Sequence, residues 1–390
     1  MLNFSSRYPE DLSPNELFQA IESQKDSLID LSSSNPTVVG LPYPSGLKDL
    51  RISIGPYEPD PQGLRPSREA VALEYQRQGQ TQSPDDLFLT SGTSEAYSLV
   101  MKLMADPGQG VLFPTPGYPL LAHLSQAEGL QPMGYPLIAK PGWPLDRQAL
   151  ESIPQDQARV LVAITPHFPT GTYLSPSDLK FLDSLCAKNQ WALVLDEVFW
   201  DYGWTGKPKR VSFEPQALTF TLGGLSKSCG LPQLKCSWMG LRGPTRLVAQ
   251  AKERLEFSAD LALSVGSPVL LSLPDLLRMG GDVREAILTR VLENKGRLDR
   301  ALAPLGSQWR LWPSEGGWSA LVQQVDPALG DELMARRLLD RGVWALPGAF
   351  FDFPVDGFWV ISLLGEPGTY EKGLDRLIQA WGNAGGGSGW

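Results

Sequence analysis

The sequence predicts an α/β fold, in which a mostly parallel sheet has helices on both faces and a smaller α+β domain follows toward the C-terminus. The first observation is an alternation of strand-length apolar runs with helical patterns through the middle of the chain. The second is that these runs are almost continuously apolar, which is typical of parallel strands covered on both faces. The third is a change near residue 258, after which a long helical pattern precedes shorter strands. Ligands of such sheets bind at the carboxyl ends of the strands, so we expect the functional residues there.

The apolar runs and the patterns between them predict the elements of both parts. Strands of the large sheet are predicted at 87–90, 110–113, 159–164, 192–195, 218–222 and 236–240. Helices are predicted near 64–79, 94–105, 117–128 and 175–189, the last of which opens with Ser-Pro-Ser-Asp, a typical start signal. In the smaller domain we expect a helix at 281–303, strands near 317–323, 342–346 and 357–363, and a final helix from about 369.

These elements predict a division into four segments. Residues 1–45, rich in serine and proline, are expected to form an N-terminal arm that joins the small domain and contains one helix from Pro14 to about Ile29. Residues 46–270 would form the large domain and residues 271–384 the small one. The closing residues 385–390, Gly-Gly-Gly-Ser-Gly-Trp, have the composition of a flexible tail.

Composition points to a small-molecule ligand. The chain has 34 Lys and Arg against 43 Asp and Glu, a net charge of −9, which disfavours a nucleic-acid partner or an anionic membrane surface. The sequence shows neither a secretory leader nor an apolar stretch long enough to span a bilayer, so a cytoplasmic location is expected. Three cysteines in 390 residues do not form a disulfide framework, and with two histidines no metal site is predicted.

Lys227 is the candidate catalytic residue. It lies between two serines in a glycine-rich turn, directly after the apolar run Leu218–Leu222. A lysine amine becomes a useful nucleophile toward a carbonyl when burial or neighbouring cations lower its pKa. A turn that leaves a strand can hold such an amine over a pocket, so Lys227 is a candidate covalent anchor.

Three further features complement this lysine. Asp196 ends a buried strand, where a carboxylate is costly unless it pairs with a cation. The run Thr90–Glu95 places a glycine and small hydroxyl residues at the start of a helix, which favours an anion. Tyr118 follows a strand in a proline-rich loop, and its side chain offers a flat surface on which the ring of a ligand would stack. Taken singly, these features are also explained by a strand-terminating charge, a helix N-cap and a packing residue.

The ordered set of motifs resembles the class I/II aminotransferases, which are fold-type I enzymes dependent on pyridoxal 5'-phosphate (PLP). The resemblance spans roughly residues 30 to 375. The matching motifs, in family order and at family-like spacing, are Asn35-Pro-Thr37, Tyr57, Ser91–Glu95, Pro116–Pro119, Pro169–Gly171, Asp196-Glu197, Ser226–Ser228 and Lys235. The resemblance implies a large sheet of the seven-stranded type and PLP as the cofactor.

The resemblance also implies a role for each matched residue. Lys227 would bind PLP covalently and then move the α-proton, Asp196 would pair with the pyridine nitrogen, and Tyr118 would stack on the ring. Tyr57 would reach the phosphate of the neighbouring subunit in a homodimer. Residues expected around the phosphate are Gly92, Thr93, Ser94, Ser226 and Lys235. Residues expected on the substrate side are Asn35 and His167.

Three positions depart from the family pattern. Phe168 and Phe199 stand where an asparagine and a tyrosine usually donate to the phenolic oxygen of the cofactor. His167 is the candidate to compensate, and a structural role in its loop is the alternative. Val360 stands where an arginine usually binds the substrate carboxylate, which makes this an atypical member. Another cation would supply that charge, or the substrate is an amine or an amino acid bound in another way. Candidate replacements are Arg7, Arg242 and Arg254.

The resemblance implies an aminotransferase that moves an amino group between an amino acid or amine and a 2-oxo acid. A PLP-dependent lyase, racemase or decarboxylase is an alternative, because the carboxylate-binding arginine and both oxygen donors are replaced. A non-catalytic ligand-binding protein, as in regulators that fuse this fold to a DNA-binding domain, is the alternative from another class.

Overall fold

A seven-stranded sheet dominates the part of the chain that the computed structural model describes, namely residues 5–9, 11–48, 56–206, 213–327 and 329–382. The tail predicted for 385–390 lies outside the described residues. The strands are β1 Ile29–Asp30, β2 Leu87–Thr90, β3 Gly110–Thr115, β4 Gln131–Pro136, β5 Ala158–Ile164, β6 Ala192–Asp196, β7 Thr219–Gly224, β8 Ser237–Arg242, β9 Trp309–Leu311, β10 Ser319–Gln324, β11 Val343–Trp344, β12 Leu346–Pro347 and β13 Phe358–Ser362. The helices are α1 Glu16–Gln24, α2 Ser45–Lys48, α3 Arg65–Arg77, α4 Thr93–Met104, α5 Leu120–Ala127, α6 Arg147–Glu151, α7 Pro176–Asn189, α8 Leu225–Ser228, α9 Thr245–Asp260, α10 Ser267–Leu302, α11 Asp331–Asp340 and α12 Pro367–Gly382.

The large sheet has the strand order β2-β8-β7-β6-β5-β3-β4. The pairs from β7 through β4 are parallel, whereas β8 is antiparallel to both of its neighbours. In the register of the central strands, Ile164 pairs with Asp196 and Asp196 pairs with Leu222. The carboxyl ends of β5, β6 and β7 therefore meet at one edge of the sheet, as the predicted fold class requires.

Helices cover both faces of this sheet, which explains why its strands are continuously apolar. On one face, Val162 of β5 packs in a cluster with α4 and α9. On the other face, Leu161 of the same strand packs in a cluster with α7. Because successive strand residues point to opposite faces, both faces must be apolar to be buried.

Strand β4 was absent from the sequence prediction. It contains two prolines and a glycine, lies at the edge of the sheet, and leaves most of its residues partly or fully exposed. An edge strand tolerates proline because its outer N–H groups need no partner in the sheet. It therefore lacks the apolar run that marks the inner strands.

The long helix α10 connects the two parts of the chain. It begins at Ser267 rather than at the predicted residue 281, and it contains Pro274 in its first turns. The prolines and glycines of this segment hide the helical pattern in the sequence. The predicted boundary between residues 270 and 271 falls inside this one helix, and the division into domains stays a prediction.

The C-terminal part is an α+β unit, as predicted. Its antiparallel sheet has the order β12-β13-β10-β9. In the chain, helix α11 follows β10 and helix α12 follows β13. Strand β1 of the N-terminal arm pairs in parallel with β11. Among the described helices, none combines the length and the apolar character needed to cross a membrane.

Two adjacent glycines of α10 offer a test of how closely this helix packs. A Cβ at Gly280 would lie 2.7 Å from the Cβ of Cys229, whereas a Cβ at Gly281 would meet no atom within 4 Å. We expect Gly280→Ala to lower the free energy of unfolding by about 1–3 kcal/mol through overpacking. Gly281→Ala should raise it by up to about 1 kcal/mol, because alanine favours a helix. Chemical denaturation of both variants measures the difference, and equal effects would contradict the close packing at Gly280.

Candidate active site

A cavity opens at the carboxyl ends of β5, β6 and β7. It contains one acid and one amine, Asp196 and Lys227. Hydroxyl side chains line another part of it: Ser34, Thr93, Ser226 and Ser237. The remaining side chains are mainly apolar or aromatic: Tyr118, Ile164, Phe168, Val198 and Phe199. Two charged groups in a mainly apolar cavity are candidates for catalysis.

Lys227 lies in α8, the four-residue helix that follows β7. Two glycines at the end of β7 permit this turn, since a Cβ at Gly223 would lie 2.5 Å from Nε1 of Trp238. The Nζ atom of Lys227 lies 4.8 Å from the centre of the Trp318 ring and 5.3 Å from that of Phe199. Burial lowers the pKa of Lys227 from 10.5 to about 8, although the nearby Asp196 opposes this change. The amine therefore loses its proton much more readily than an exposed lysine does, as a nucleophile requires.

Asp196 ends β6 and is only 6% exposed. Burial raises the pKa of its carboxyl from 3.8 to about 6, against the opposing effect of two hydrogen bonds. One comes from the hydroxyl of Tyr97 at 2.8 Å and the other from the N–H of Val198 at 3.1 Å. A buried carboxylate with so little compensation fits a ligand that brings a positive charge, such as a protonated ring nitrogen.

Tyr97 was not among the residues predicted from the sequence. It is buried in α4 and lies four residues after Thr93, so both residues share one face of the helix. The four-residue spacing from Thr93 could have indicated that Tyr97 faces the site, but nothing in the sequence places Tyr97 beside Asp196. The contact joins residues 99 positions apart.

The N-terminus of α4 supplies an anion site. Gly92 caps this helix and Thr93 is its first residue. Lys235 places its Nζ 3.4 Å from the position that a Cβ of Gly92 would occupy. Ser226 lines the same cavity, whereas Ser94 is exposed in the first turn of the helix. Free N–H groups, a helix dipole, an ammonium and hydroxyl groups together fit a phosphate.

Aromatic rings form one wall of the cavity. Tyr118 contacts Phe168 edge to face, with the ring centres 6.2 Å apart. Phe168 stacks on Phe199 at 6.3 Å, and Phe199 contacts Trp318 at 5.3 Å. Both phenylalanines that depart from the family pattern thus lie in the cavity and make this wall apolar.

Three residues with predicted roles lie elsewhere in this chain. Asn35 is exposed, and its side-chain oxygen accepts a hydrogen bond from the N–H of Thr37 at 3.0 Å, while the preceding Ser34 lines the cavity. Tyr57 is 71% exposed and lines a separate surface cavity. His167 does not line the cavity around Lys227 either, and the roles of Asn35 and Tyr57 stay predictions.

His167 faces a second cavity of about 390 Å³ rather than the one around Lys227. Its Nδ1 atom shares a hydrogen bond of 2.9 Å with the hydroxyl of Thr170. Burial lowers the pKa of His167 to about 3, so its ring is neutral. This placement supports the structural alternative for His167 over compensation for Phe168.

Val360 is 1% exposed and belongs to an apolar cluster of the C-terminal unit. The other buried members are Trp143, Trp312, Leu321, Phe351 and Phe358. None of the three arginines considered as replacements lines the cavity around Lys227. Arg242 donates to the carbonyl of Phe213, Arg254 donates to that of Gln250 at 2.9 Å, and Arg7 lies near Gly129.

The fold and this site define a fold-type I enzyme dependent on pyridoxal phosphate. Lys227, Asp196 and the anion site at α4 lie in one cavity and match the aldehyde, the ring nitrogen and the phosphate of that cofactor. Residues 57–377 match the model of the family described as aminotransferase class I and II, so this chain belongs to that family. The predicted family, fold class, cofactor and enzyme class are thereby confirmed.

Similar proteins agree with this assignment. The alanine aminotransferase of Mycobacterium tuberculosis (strain ATCC 25618 / H37Rv) is 27% identical over 379 residues, which cover 93% of this chain and 86% of that protein. The tyrosine aminotransferase of Mus musculus is 29% identical over 254 residues, which cover 59% of this chain and 55% of that one. The solved structure of an aminotransferase from Escherichia coli has the same fold, with a TM-score of 0.83 and 21% identity over 97% of this chain and 98% of that one.

The burial of Asp196 predicts a pH-dependent stability of the cofactor-free protein. The carboxyl of Asp196 has a pKa of about 6 in the folded state and of 3.8 in the unfolded state. The folded state therefore binds more protons between these values, so the free energy of unfolding falls as pH rises through them and the cost stays constant above pH 6. Asp196→Asn removes this cost, which is about 3 kcal/mol in full.

We expect the Asp196→Asn variant without cofactor to be more stable than the wild type at pH 7, and the difference to shrink as pH falls toward 4. Chemical denaturation at several pH values measures both proteins. Parallel stability curves across this range would contradict the raised pKa. If Asp196 pairs with the ring nitrogen as predicted, the same variant should bind PLP more weakly, because this carboxylate has lost its charge.

Proposed function

We propose that this aminotransferase uses Lys227 as its covalent anchor and proton carrier, and that it takes its amino group from donors with an apolar or aromatic substituent. The acceptor would be a 2-oxo acid, as for the family. The observation that carries this proposal is the cavity itself. It combines a buried amine and a buried carboxylate with a wall of aromatic side chains.

Different residues of the cavity would bind different parts of the cofactor. When bound, PLP supplies an aldehyde and an electron-withdrawing ring, which together make the hydrogen on the α-carbon of the donor acidic. Asp196 would hold the ring nitrogen protonated, and Tyr118 would cover one face of the ring. The phosphate would lie at the N-terminus of α4, with Thr93 and Lys235 as donors.

Lys227 has the acidity that a proton carrier needs. General acid–base catalysis is most efficient when the pKa of the group lies near the operating pH, and burial lowers the pKa of this amine to about 8. Asp196 lies on the neighbouring strand and is the charged group that acts on this pKa. The amine would therefore accept a proton from the α-carbon of the donor and release it again.

The apolar wall supports the proposed class of donor. Phe168 lines the cavity and also contacts Phe351, at 5.4 Å, in the apolar cluster around Val360. The cavity wall is thus continuous with the cluster at the position where the family usually has an arginine. Contact with a phenyl or branched aliphatic group removes apolar surface from water, which favours such donors.

A homodimer with shared active sites is part of the same proposal. Tyr57, which would reach the neighbouring subunit, is 71% exposed in the single chain. Phe257 and Leu261 at the end of α9 are 72% and 76% exposed, so an interface at this position would remove apolar surface from water. The cytoplasmic location expected from the sequence stays a prediction.

The role of Lys227 predicts the fate of the covalent link. After reduction of the PLP-loaded protein with borohydride, the wild type should carry the mass of one cofactor on the peptide that contains Lys227. Lys227→Ala should lose this adduct completely, and mass spectrometry of the intact protein and of its peptides measures it. As the matched control, Lys235→Ala should keep the adduct but require more PLP for saturation, because only a phosphate contact is lost. An adduct that survives in Lys227→Ala would refute the assignment.

The donor class predicts an order of reactivity. Without an acceptor, an amino donor should convert the bound cofactor into its aminated form, and absorbance measures this change. Transamination predicts this form, whereas a lyase, racemase or decarboxylase reaction does not. We expect phenylalanine or leucine to react about 10- to 100-fold more efficiently than aspartate, given the free energy of burying such side chains. Phe168→Ala should reduce the preference for the aromatic donor. Faster reaction with aspartate would contradict the proposed donor class.

A further inference from the structure

The backbone carbonyl of Lys227 accepts a hydrogen bond from a side chain that lies outside the cavity. The hydroxyl of Tyr202 donates to this carbonyl at 2.5 Å. The N–H of Gly230 donates to the same carbonyl over a longer distance of 3.3 Å. Because α8 has only four residues, its carbonyls lack the continuing helix that would otherwise bind them. Tyr202 therefore adds a short side-chain bond to the backbone bonds that this carbonyl accepts from Cys229 and Gly230.

Tyr202 also supports the surface on which the amine lies. Its side chain is 0% exposed, and its ring packs edge to face on Trp318 with the centres 5.1 Å apart. The same Trp318 ring lies 4.8 Å from the Nζ atom of Lys227. Burial keeps the pKa of the Tyr202 phenol well above its usual value, so the hydroxyl remains a donor at any pH used for the enzyme. One tyrosine thus contacts the backbone of Lys227 and the ring beneath its amine.

An ion-pair network holds the segment around Tyr202 and the next carbonyl of the turn. Arg284 of α10 is 7% exposed, and its Nε donates to the carbonyl of Ser228 at 3.0 Å. Its guanidinium lies 3.5 Å from a carboxylate oxygen of Asp201 and 3.7 Å from one of Glu74. Asp201 directly precedes Tyr202 in the chain. The arginine therefore fixes the turn and the tyrosine segment relative to each other.

We infer that Tyr202 is a positioning residue for Lys227, with Arg284 holding both in place. The inference rests on the proposed role of Lys227 as anchor and proton carrier. The carbonyl and the side chain of Lys227 share one Cα atom, so fixing the carbonyl restricts the direction in which the amine points. Reacting groups need such control, because a misplacement of about 1 Å can cost on the order of 100-fold in rate.

Tyr202→Phe tests this inference with the loss of one oxygen atom. We expect kcat to fall roughly 3- to 10-fold, as for the loss of one buried hydrogen bond, and KM to change little because Tyr202 does not line the cavity. The pH dependence of covalent PLP capture by the full-length chain freed of cofactor is the second readout. Its midpoint should move upward in the variant, because a looser turn lets water reach the amine and stabilise its charged form.

Tyr43→Phe is the matched control. The hydroxyl of Tyr43 donates at 2.6 Å to the carbonyl of Gly230, three residues beyond Lys227. Like Tyr202→Phe, this variant loses one hydroxyl that binds a backbone carbonyl near Lys227. The free energy of unfolding should therefore fall by a similar amount, while kcat and the capture midpoint stay at the wild-type values. Arg284→Lys, which keeps the positive charge between Asp201 and Glu74, should retain more of kcat than Arg284→Met.

The outcomes separate this inference from the proposed function. An unchanged kcat and midpoint in Tyr202→Phe, or equal changes in Tyr43→Phe, would overturn the positioning role while leaving Lys227 as the anchor. Retention of the reduced adduct in Lys227→Ala would overturn the proposed function itself. A lower kcat together with a raised midpoint in Tyr202→Phe alone would support the inference.

Discussion

The burial of an amine and a carboxylate in one cavity is the constraint on which this site depends. Burial lowers the pKa of Lys227 to about 8 and raises that of Asp196 to about 6, so each group is moved toward its neutral form. In water neither group would have this acidity. The fold therefore carries two desolvated groups. The cost at Asp196 is offset in part by Tyr97 and the N–H of Val198, and the cost at Lys227 by the charge of Asp196. A cofactor with a positive ring nitrogen and a reactive aldehyde would compensate both.

The parallel sheet brings these groups together. Strands β6 and β7 are adjacent and parallel, so Asp196 at the end of one lies beside the turn that follows the other. The glycines at the end of β7 let that turn approach the side chains of β8, and α8 then directs Lys227 into the cavity. The N-terminus of α4 reaches the same edge of the sheet and adds the anion site. Each group that we propose for binding the cofactor thus lies at a different strand end or helix end.

The departures from the family pattern are consistent with one another. Phe168 and Phe199 replace polar residues in the cavity wall, and Val360 replaces a charged one in the cluster behind it. An arginine at position 360 would be buried among tryptophan and phenylalanine rings, where a charge without a partner is costly. The core around position 360 is apolar, as Val360 itself is, which supports a substrate recognised by apolar contact at this wall.

The sequence by itself determined the alternation of strands and helices and the order of the motifs, and it made Lys227 and Asp196 candidates, which the structure places in one cavity. These depend on local patterns, since burial on both faces, turn glycines and helix starts each leave a mark within a few residues. Edge strand β4 and the start of α10 left weaker marks, because prolines and glycines interrupt their patterns.

Only the tertiary structure decided which distant side chains meet the site. Tyr97 reaches Asp196 across 99 residues, Arg284 reaches the carbonyl of Ser228 across 56, and His167 faces a different cavity although it directly precedes Phe168. Such contacts depend on how helices pack on the sheet and on which way each side chain points. A hydroxyl or guanidinium carries no local signal of the carbonyl or carboxylate that it will bind, so these partners follow from packing rather than from sequence pattern.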